Sequence, residues 1–310
     1  HLAQRTNLTI YTSKAGTAEE LGERLHGVDI AIAIRDRVDI TRGVLLGASS
    51  LKFLSICGNR IPPNIDADAA REIGIDVSAG RRIEENGAVA PATAELTMGM
   101  MFAIARNLVG HSNSVSTGNW HEAPLGRTLR GCTLGVIGLG AIGSAVSRAA
   151  SAIGMRVLAY SPRLDETRAR AVGACGVNFL ELLRQSDVVS LHAKLTEETR
   201  GLLGDEEIAL MPDKAYLINT ARADLIDEHA LRNALRLGKL AGVGLDVFWE
   251  EPLPTDHWTR FEPRVLATPH LGGFTQEGFE QLIAPAVENV LAWLDGHPLQ
   301  GVCHFARSGS

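Results

Sequence analysis

The chain has 310 residues, of which 45% are hydrophobic and 21% charged, and its formal net charge is −6. This length exceeds the usual size of a single hydrophobic core and favours two domains of a globular protein. The acidic balance argues against a nucleic-acid partner, which usually needs a basic patch, and no apolar run without glycine breaks has the length of a membrane span.

The cysteines are scattered along the chain, with no C-x-x-C pair and no zinc-type spacing. They are Cys57, Cys132, Cys175 and Cys303. We expect free thiols in a reducing compartment and no metal site. Because no signal-peptide pattern is present either, the sequence predicts a cytoplasmic protein.

Short apolar runs alternate with polar or helical segments in the first part of the chain. The runs that predict strands are at 8–11, 28–34, 51–56 and 74–79. This alternation predicts parallel strands joined by crossover helices. A stretch of mixed charge, Gly and Pro at 81–92 then leads into a long apolar helix predicted over 93–109. We expect the domain border at that stretch.

The second part of the chain repeats this alternation with more apolar strands. Strands are predicted at 133–138, 156–161, 187–192, 215–220, 242–247 and 265–268. Helices are predicted at 141–153, 178–185, 204–211, 227–237 and 276–295. Nearly continuous apolar strands are typical of parallel sheets that are covered on both faces. The predicted fold class is therefore α/β.

Three glycines follow the first strand of this second part and open an Ala-rich helix. Gly138, Gly140 and Gly143 have the spacing G-x-G-x-x-G, which indicates dinucleotide binding in this strand–helix context. Gly138 permits a tight turn, Gly140 lets the backbone approach a pyrophosphate, and Gly143 lets helix and strand pack closely. Ala141 and Ile142 lie at the helix N-terminus, which offers N–H groups to the anion. The alternative is a packing motif without a ligand.

The next predicted strand ends in Ser161, followed by Arg163, where such units commonly carry an acid that holds the ribose hydroxyls. Ser161 lies 18 residues after Gly143, close to the roughly 20 expected for that acid. An aspartate would repel a 2′-phosphate, whereas Ser161 tolerates one and Arg163 can pair with it. We therefore expect NADP(H) to be favoured. In the alternative, Arg163 points to solvent and NAD(H) binds as well.

Polar side chains follow three further strands, at the sheet edge where α/β proteins bind ligands. They are Arg222, then Asp246 and Glu251, then His270. An arginine holds a carboxylate through two hydrogen bonds, a histidine passes a proton near neutral pH, and a carboxylate beside it favours its charged form. Singly, each could be a solvated or backbone-bonded residue, but together they predict carbonyl chemistry. His192, which has no evident acid partner, is interpreted as structural.

These motifs resemble, in order and spacing, those of the D-isomer-specific 2-hydroxyacid dehydrogenases, and the resemblance covers nearly the whole chain. Besides the glycine turn it rests on LKFLSICGNRIPPNID (51–66), PATAELTMGMMFAIARNL (91–108), LINTARADLIDEHAL (217–231), GLDVFWEEPLP (244–254) and ATPHLGG (267–273). It implies two Rossmann-like domains, each a doubly wound parallel sheet, with the active site in the cleft between them. Residues 1–88 and 282–310 would form the substrate-binding domain and residues 89–281 the dinucleotide-binding domain. It also implies a homodimer with the helix at 93–109 at the subunit interface.

The resemblance further implies roles for single residues. Arg222 would bind the substrate carboxylate and carbonyl, His270 would be the general acid in reduction and the base in oxidation, and Glu251 would pair with His270. Asp246 would hold the nicotinamide carboxamide. The other implied cofactor-binding residues are Thr220, Ala221 and Gly272, and the backbone that clasps the substrate carboxylate is at Cys57, Gly58 and Asn59.

The sequence thus predicts an NAD(P)-dependent oxidoreductase that interconverts a small 2-oxo acid and its D-(R)-2-hydroxy acid, as glyoxylate and hydroxypyruvate reductases do. The expected partner is that small acid, and no nucleic acid or membrane is expected. Two alternatives remain. One is a non-catalytic, NAD(H)-sensing binding protein of the corepressor type, and the other is a relative that acts on formate or phosphite.

Overall fold

The computed structural model describes residues 2–34, 39–58, 60–80, 87, 89–120, 124–162 and 164–304. The chain divides into two compact units. Unit 1 comprises His1–Gly87 and Gln276–Ser310, and unit 2 comprises Ala88–Thr275. Among the described residues, no helix combines the length and the apolar character that crossing a bilayer requires.

The elements alternate along the chain as the sequence predicts. The strands are β1 Ile30–Ile34, β2 Phe53–Cys57, β3 Asp76–Ala79, β4 Thr133–Ile137, β5 Arg156–Tyr160, β6 Ala174–Gly176, β7 Val188–Leu191, β8 Ala215–Asn219, β9 Leu240–Leu245, β10 Val265–Ala267 and β11 Val302–His304. The helices are α1 Ala18–Leu25, α2 Arg42–Gly47, α3 Ala67–Glu72, α4 Val89–Ala105, α5 Leu108–Ser116, α6 Ala141–Ala152, α7 Glu166–Arg170, α8 Phe179–Gln185, α9 Asp205–Leu210, α10 Glu228–Arg236 and α11 Gln276–Leu294.

Unit 1 is built on a four-stranded sheet of order β1-β2-β3-β11. Its first three strands are parallel, and β11 runs antiparallel to β3. Helix α11 packs on this sheet: the Trp293 ring stacks on Phe53 at 5.3 Å, and its indole N–H donates to Asp76 at 2.8 Å. These contacts join the two distant parts of the chain in one core.

Unit 2 contains a seven-stranded, all-parallel sheet of order β10-β9-β8-β7-β4-β5-β6. The chain begins in the interior of the sheet with β4, builds outward through β5 and β6, and then returns to build the remaining strands from β7. Strand β4 is buried along its whole length, as expected for a sheet with helices on both faces. The predicted α/β fold class is confirmed. The reversal between β4 and β7 is a topological switch point, where such sheets bind ligands.

The strand predicted at 8–11 is wrong. No strand forms there, and Leu8, Ile10 and Tyr11 are exposed, with Ile10 at 72%. Within the described residues no neighbouring strand pairs with this segment, because the edge strand β1 pairs with β2 alone. A short run of strand-forming residues adopts a strand only when a ladder and a buried face are available.

The helix predicted over 93–109 is also incorrect in its extent, because two helices replace it. Helix α4 ends at Ala105 and α5 begins at Leu108. Between them, Asn107 adopts the left-handed conformation, with a φ of 48°. Asparagine tolerates this conformation better than most residues, and a left-handed residue ends an α-helix.

Candidate active site

The glycine turn connects the interior strand β4 to α6. Gly138 has a φ of +98°, a conformation that side chains disfavour. A Cβ added there would lie 2.6 Å from backbone atoms of His192 and Ala193, and one added at Gly143 would clash with the carbonyl oxygen of Gly138. Both glycines are therefore required by the close approach of neighbouring backbone.

Gly140 differs from the other two glycines because a Cβ there would meet open space. It is the N-cap residue of α6 and, having no side chain, cannot cap the helix. The first N–H groups of a helix have no partner within it, and together with the helix dipole they favour an anion. The turn thus fits the pyrophosphate of a dinucleotide in two respects: it offers unpaired N–H groups to the anion and leaves open space at Gly140.

Ser161 lies beside the glycine turn, immediately after β5. Its Oγ accepts a hydrogen bond from the Leu139 N–H at 3.2 Å, and the Gly138 N–H donates to the Tyr160 carbonyl at 2.8 Å. These two hydrogen bonds hold Ser161, the residue predicted at the ribose, against the glycine turn. The other residue of that prediction, Arg163, lies outside the described residues.

His192 follows β7 on the other side of β4. Its N–H donates to the Ile137 carbonyl at 2.7 Å, and its Nε2 lies 2.9 Å from the Ser190 hydroxyl. Burial lowers the pKa of His192 to about 4, so the ring is neutral at physiological pH. A neutral ring bonded to a serine agrees with a structural role.

A short turn after β8 carries Arg222. Asn219 holds this turn: its Nδ2 donates to the Arg222 carbonyl at 2.8 Å, and its Oδ1 accepts from the Ala221 N–H at 3.0 Å. The hydroxyl of Thr220 lies 2.9 Å from that of Thr97 on α4. The Arg222 side chain is exposed and donates through Nη1 to the Ala221 carbonyl at 2.6 Å.

Asp246, the residue after β9, is fully buried. Its Oδ1 accepts from the Thr268 hydroxyl and the Leu271 N–H, both at 2.6 Å, and its Oδ2 accepts from the Gly272 N–H at 2.8 Å. These donors flank His270, so Asp246 anchors the loop that carries it. The implied contact between Asp246 and the nicotinamide carboxamide stays a prediction.

His270 and Glu251 form a direct pair. Nδ1 of His270 lies 2.8 Å from Oε2 of Glu251, and Oε1 of Glu251 accepts from the Phe248 N–H at 3.0 Å. Partial burial raises the pKa of Glu251, but the hydrogen bonds from His270 and Phe248 and the charges of His270 and Arg222 outweigh this effect. The pKa of Glu251 is therefore lowered. A carboxylate only accepts, so Nδ1 of His270 is the donor in this pair.

The predicted substrate clasp lies in unit 1. Cys57 ends β2 and is buried, and burial raises the pKa of its thiol to about 12. A neutral thiol of this kind is a poor nucleophile. Gly58 follows with a φ of +151°, and Asn59 lies outside the described residues. Binding of a substrate carboxylate by this backbone stays a prediction.

The structure adds residues that the sequence reasoning missed. Asn219 and Thr268 bond to the predicted residues, and Thr97 reaches them from α4. A signal for Asn219 was its place directly before Thr220 at a strand end. Nowhere in the described ranges do three His, Cys, Asp or Glu side chains gather in a way that could hold a metal ion.

A comparison with known protein families bears on this arrangement. Residues 98–272 match the model of the D-isomer specific 2-hydroxyacid dehydrogenase, NAD binding domain. The chain belongs to this family. The matched range contains the glycine turn, Arg222, Glu251 and His270. The family resemblance inferred from the sequence is thus confirmed.

Curated relatives within the 2-hydroxyacid dehydrogenases differ in length. A D-3-phosphoglycerate dehydrogenase from Methanocaldococcus jannaschii is 39% identical over 89% of this chain but only 52% of the relative. A hydroxypyruvate reductase from Thermotoga maritima is 38% identical over 90% of this chain and 89% of the relative. The chain thus spans about half of the first relative and nearly all of the second.

A solved structure of the family carries both a cofactor and an acid. The D-lactate dehydrogenase from Aquifex aeolicus, complexed with NAD and lactic acid, has a TM-score of 0.73 and 30% sequence identity. The match covers 95% of this chain and 90% of that one.

Proposed function

We propose that the protein is an NAD(P)-dependent oxidoreductase that interconverts a small 2-oxo acid and its D-(R)-2-hydroxy acid. The observation that carries the proposal is the His270–Glu251 pair, with a 2.8 Å contact, on the sheet that also bears Arg222 and the uncapped glycine turn. A proton donor, a carboxylate-binding cation and a dinucleotide cradle are the groups that this reaction needs.

In this proposal the nicotinamide supplies or accepts the hydride at the substrate carbon, and the chain's own residues handle charge and protons. The guanidinium of Arg222 binds the substrate carboxylate and stabilises the negative charge that develops on its oxygen. Nε2 of His270 gives a proton to that oxygen in reduction and takes it back in oxidation. Glu251 keeps Nδ1 protonated and stabilises the imidazolium, because its own lowered pKa leaves it ionised.

The substrate proposed is of the glyoxylate or hydroxypyruvate type. The hydroxypyruvate reductase from Thermotoga maritima matches along nearly its whole length, whereas the phosphoglycerate dehydrogenase from Methanocaldococcus jannaschii matches along half. An assay with glyoxylate, hydroxypyruvate, pyruvate and 3-phosphohydroxypyruvate ranks them by kcat/KM. We expect hydroxypyruvate or glyoxylate to lead. If a parallel assay shows oxidation of formate or phosphite and no 2-oxo acid reacts, the protein is a relative that acts on formate or phosphite. Cofactor binding without turnover of any substrate would favour a sensing protein.

The proposal extends to a preference for NADP(H), with NAD(H) as the second cofactor. Ser161 is at the predicted ribose position, where an acid would select against a 2′-phosphate. Its Oγ accepts from the Leu139 N–H beside the glycine turn. Arg163 follows two residues later and is proposed to pair with the phosphate. Fluorescence titration of both reduced cofactors tests this preference, and tighter binding of NADH by the wild type would refute it.

Replacing Ser161 by Asp is expected to weaken NADPH binding about 30-fold. Two unit charges 4 Å apart in water repel by about 1 kcal/mol, and a phosphate carries roughly two charges, which gives about 2 kcal/mol. The aspartate still offers an acceptor to the Leu139 N–H, so the turn should persist. Ser161→Asn, which has the same shape and no charge, is the control. Equal losses in both variants would indicate a steric effect and contradict this explanation.

We also propose that the protein is a homodimer. Helix α5 exposes Leu108, Val109 and Val115, and Leu125, beyond it, is 97% exposed. Apolar residues clustered on one segment are typical of an interface, and the family resemblance implies an interface at 93–109, a range that includes Leu108 and Val109. Light scattering should give twice the chain mass of 33.2 kDa. A monomer at assay concentration would contradict the proposal.

A further inference from the structure

Asn219 is the last residue of β8, and it is fully buried. Both ends of its side-chain amide are used within the next three residues, at the Ala221 N–H and the Arg222 carbonyl. Its own carbonyl accepts from the Asp246 N–H at 3.0 Å. The residue therefore joins the turn that carries Arg222 to the residue that anchors the His270 loop.

The Arg222 carbonyl also accepts from the Leu225 N–H, at the longer distance of 3.3 Å. Among the described residues, the charge of Arg222 acts on Glu251 without a direct ion pair, and the hydrogen bond from its guanidinium goes to the carbonyl of the adjacent Ala221. The direction of an exposed, flexible side chain then depends on where its backbone is held. The amide of Asn219 supplies that constraint on both sides of Ala221.

Only an amide side chain can donate to the Arg222 carbonyl and accept from the Ala221 N–H at this position. An aspartate would keep the acceptor for the Ala221 N–H but would turn a second oxygen toward the Arg222 carbonyl, which also only accepts. A serine is too short to reach both groups at once. A buried polar group that loses its partner is costly, so either change should shift the turn.

We propose that Asn219 is a positioning residue, which acts through Arg222 to set the affinity for the substrate carboxylate. The inference rests on the proposed function, because it needs a 2-oxo acid as the ligand of Arg222. A small misplacement of a group that aligns a substrate can cost about 100-fold in rate. We therefore expect Asn219→Asp and Asn219→Ser to lower kcat/KM for the 2-oxo acid by about 10- to 100-fold, mainly through KM. The Kd of the reduced cofactor should rise less than KM does, since Ala221 is one implied cofactor contact while the glycine turn that would hold the pyrophosphate is separate.

A double-mutant cycle with Arg222→Ala separates positioning from general damage. If Asn219 acts through Arg222, then Asn219→Ser should have little further effect in the Arg222→Ala background. Asn178→Asp is the matched control, because this exposed residue caps α8 through an oxygen that aspartate also has. Its kinetics should equal those of the wild type. Additive losses of kcat/KM in the cycle would overturn the proposal, and so would a rise in the cofactor Kd as large as the rise in KM for the 2-oxo acid.

Hydrogen exchange on the wild type gives a test that needs no variant to fold. The Ala221 amide should exchange much more slowly than a free loop amide, because Asn219 accepts its hydrogen bond. Exchange at the free-loop rate would overturn the proposal. The proposed function fails separately, if the wild type turns over no 2-oxo acid. If the wild type turns over a 2-oxo acid but the losses in the double-mutant cycle are additive, only the positioning role of Asn219 is refuted.

Discussion

Replacing His270 by Gln is expected to lower kcat by about 10³-fold, within the range that general acid–base catalysis contributes. Glutamine has a similar reach and can still hydrogen-bond to Glu251, but it carries no proton that titrates near neutral pH. Hydride transfer would then have to produce an alkoxide without a proton donor. Steady-state kinetics with hydroxypyruvate measure kcat, and fluorescence titration should show an unchanged cofactor Kd.

The control for this variant is His229→Gln, which makes the same change on the exposed surface of α10. We expect its kcat to lie within about two-fold of the wild-type value, as is usual for surface substitutions without a special contact. A near-normal kcat in His270→Gln would show that the proton comes from elsewhere. A large rise in the cofactor Kd would show that His270 holds the nicotinamide rather than passing a proton.

Replacing Arg222 by Ala is expected to lower kcat/KM for the 2-oxo acid by about 10³-fold. The variant lacks the guanidinium that is proposed to bind the carboxylate and to stabilise the developing oxyanion. Losing one such oxyanion contact typically costs about 10²- to 10³-fold. Both KM and kcat should worsen, because the group acts in binding and in the transition state. The measurement is a full substrate titration at saturating cofactor.

Two further variants make the Arg222 result specific. Arg222→Lys keeps the positive charge but cannot form two parallel hydrogen bonds to a carboxylate. It should therefore recover only part of the kcat/KM that Arg222→Ala loses. Arg168→Ala removes an exposed arginine of α7 and should leave kcat/KM unchanged within about two-fold. Full recovery by lysine would mean that charge alone matters. No loss in Arg222→Ala would remove this residue from the proposed site.

The glycine turn and the strand-end residues could be predicted from the sequence because their physics is local or topological. Gly138 and Gly143 are required by backbone approaches that any strand–turn–helix of this type makes. Parallel strands bring their carboxyl ends to one edge, which is why Arg222, Glu251 and His270 could be grouped without coordinates. The pairing of His270 with Glu251 followed from the family resemblance, and the structure places the two in contact.

The misses have other causes: one depends on strand pairing, and the others on a backbone or side-chain conformation that no sequence pattern marks. The segment 8–11 has strand-forming residues but no strand to pair with among the described residues. The break at Asn107 depends on one backbone conformation in an otherwise helical run. No motif marks the side chain of Asn219, and the family resemblance assigns Asp246 only to the nicotinamide carboxamide. The coordinates show that these two side chains hold the turns around Arg222 and His270.

The groups on these loops are proposed to reduce a small 2-oxo acid to its D-hydroxy acid. Chiral chromatography of the glycerate formed from hydroxypyruvate, coupled to the spectrophotometric loss of NADPH, measures both the configuration of the product and the stoichiometry of the reaction. With hydroxypyruvate, we expect one equivalent of the R-hydroxy acid for each equivalent of NADPH consumed. Cofactor binding with no consumption across the panel, or a product of the S configuration, would contradict the claim.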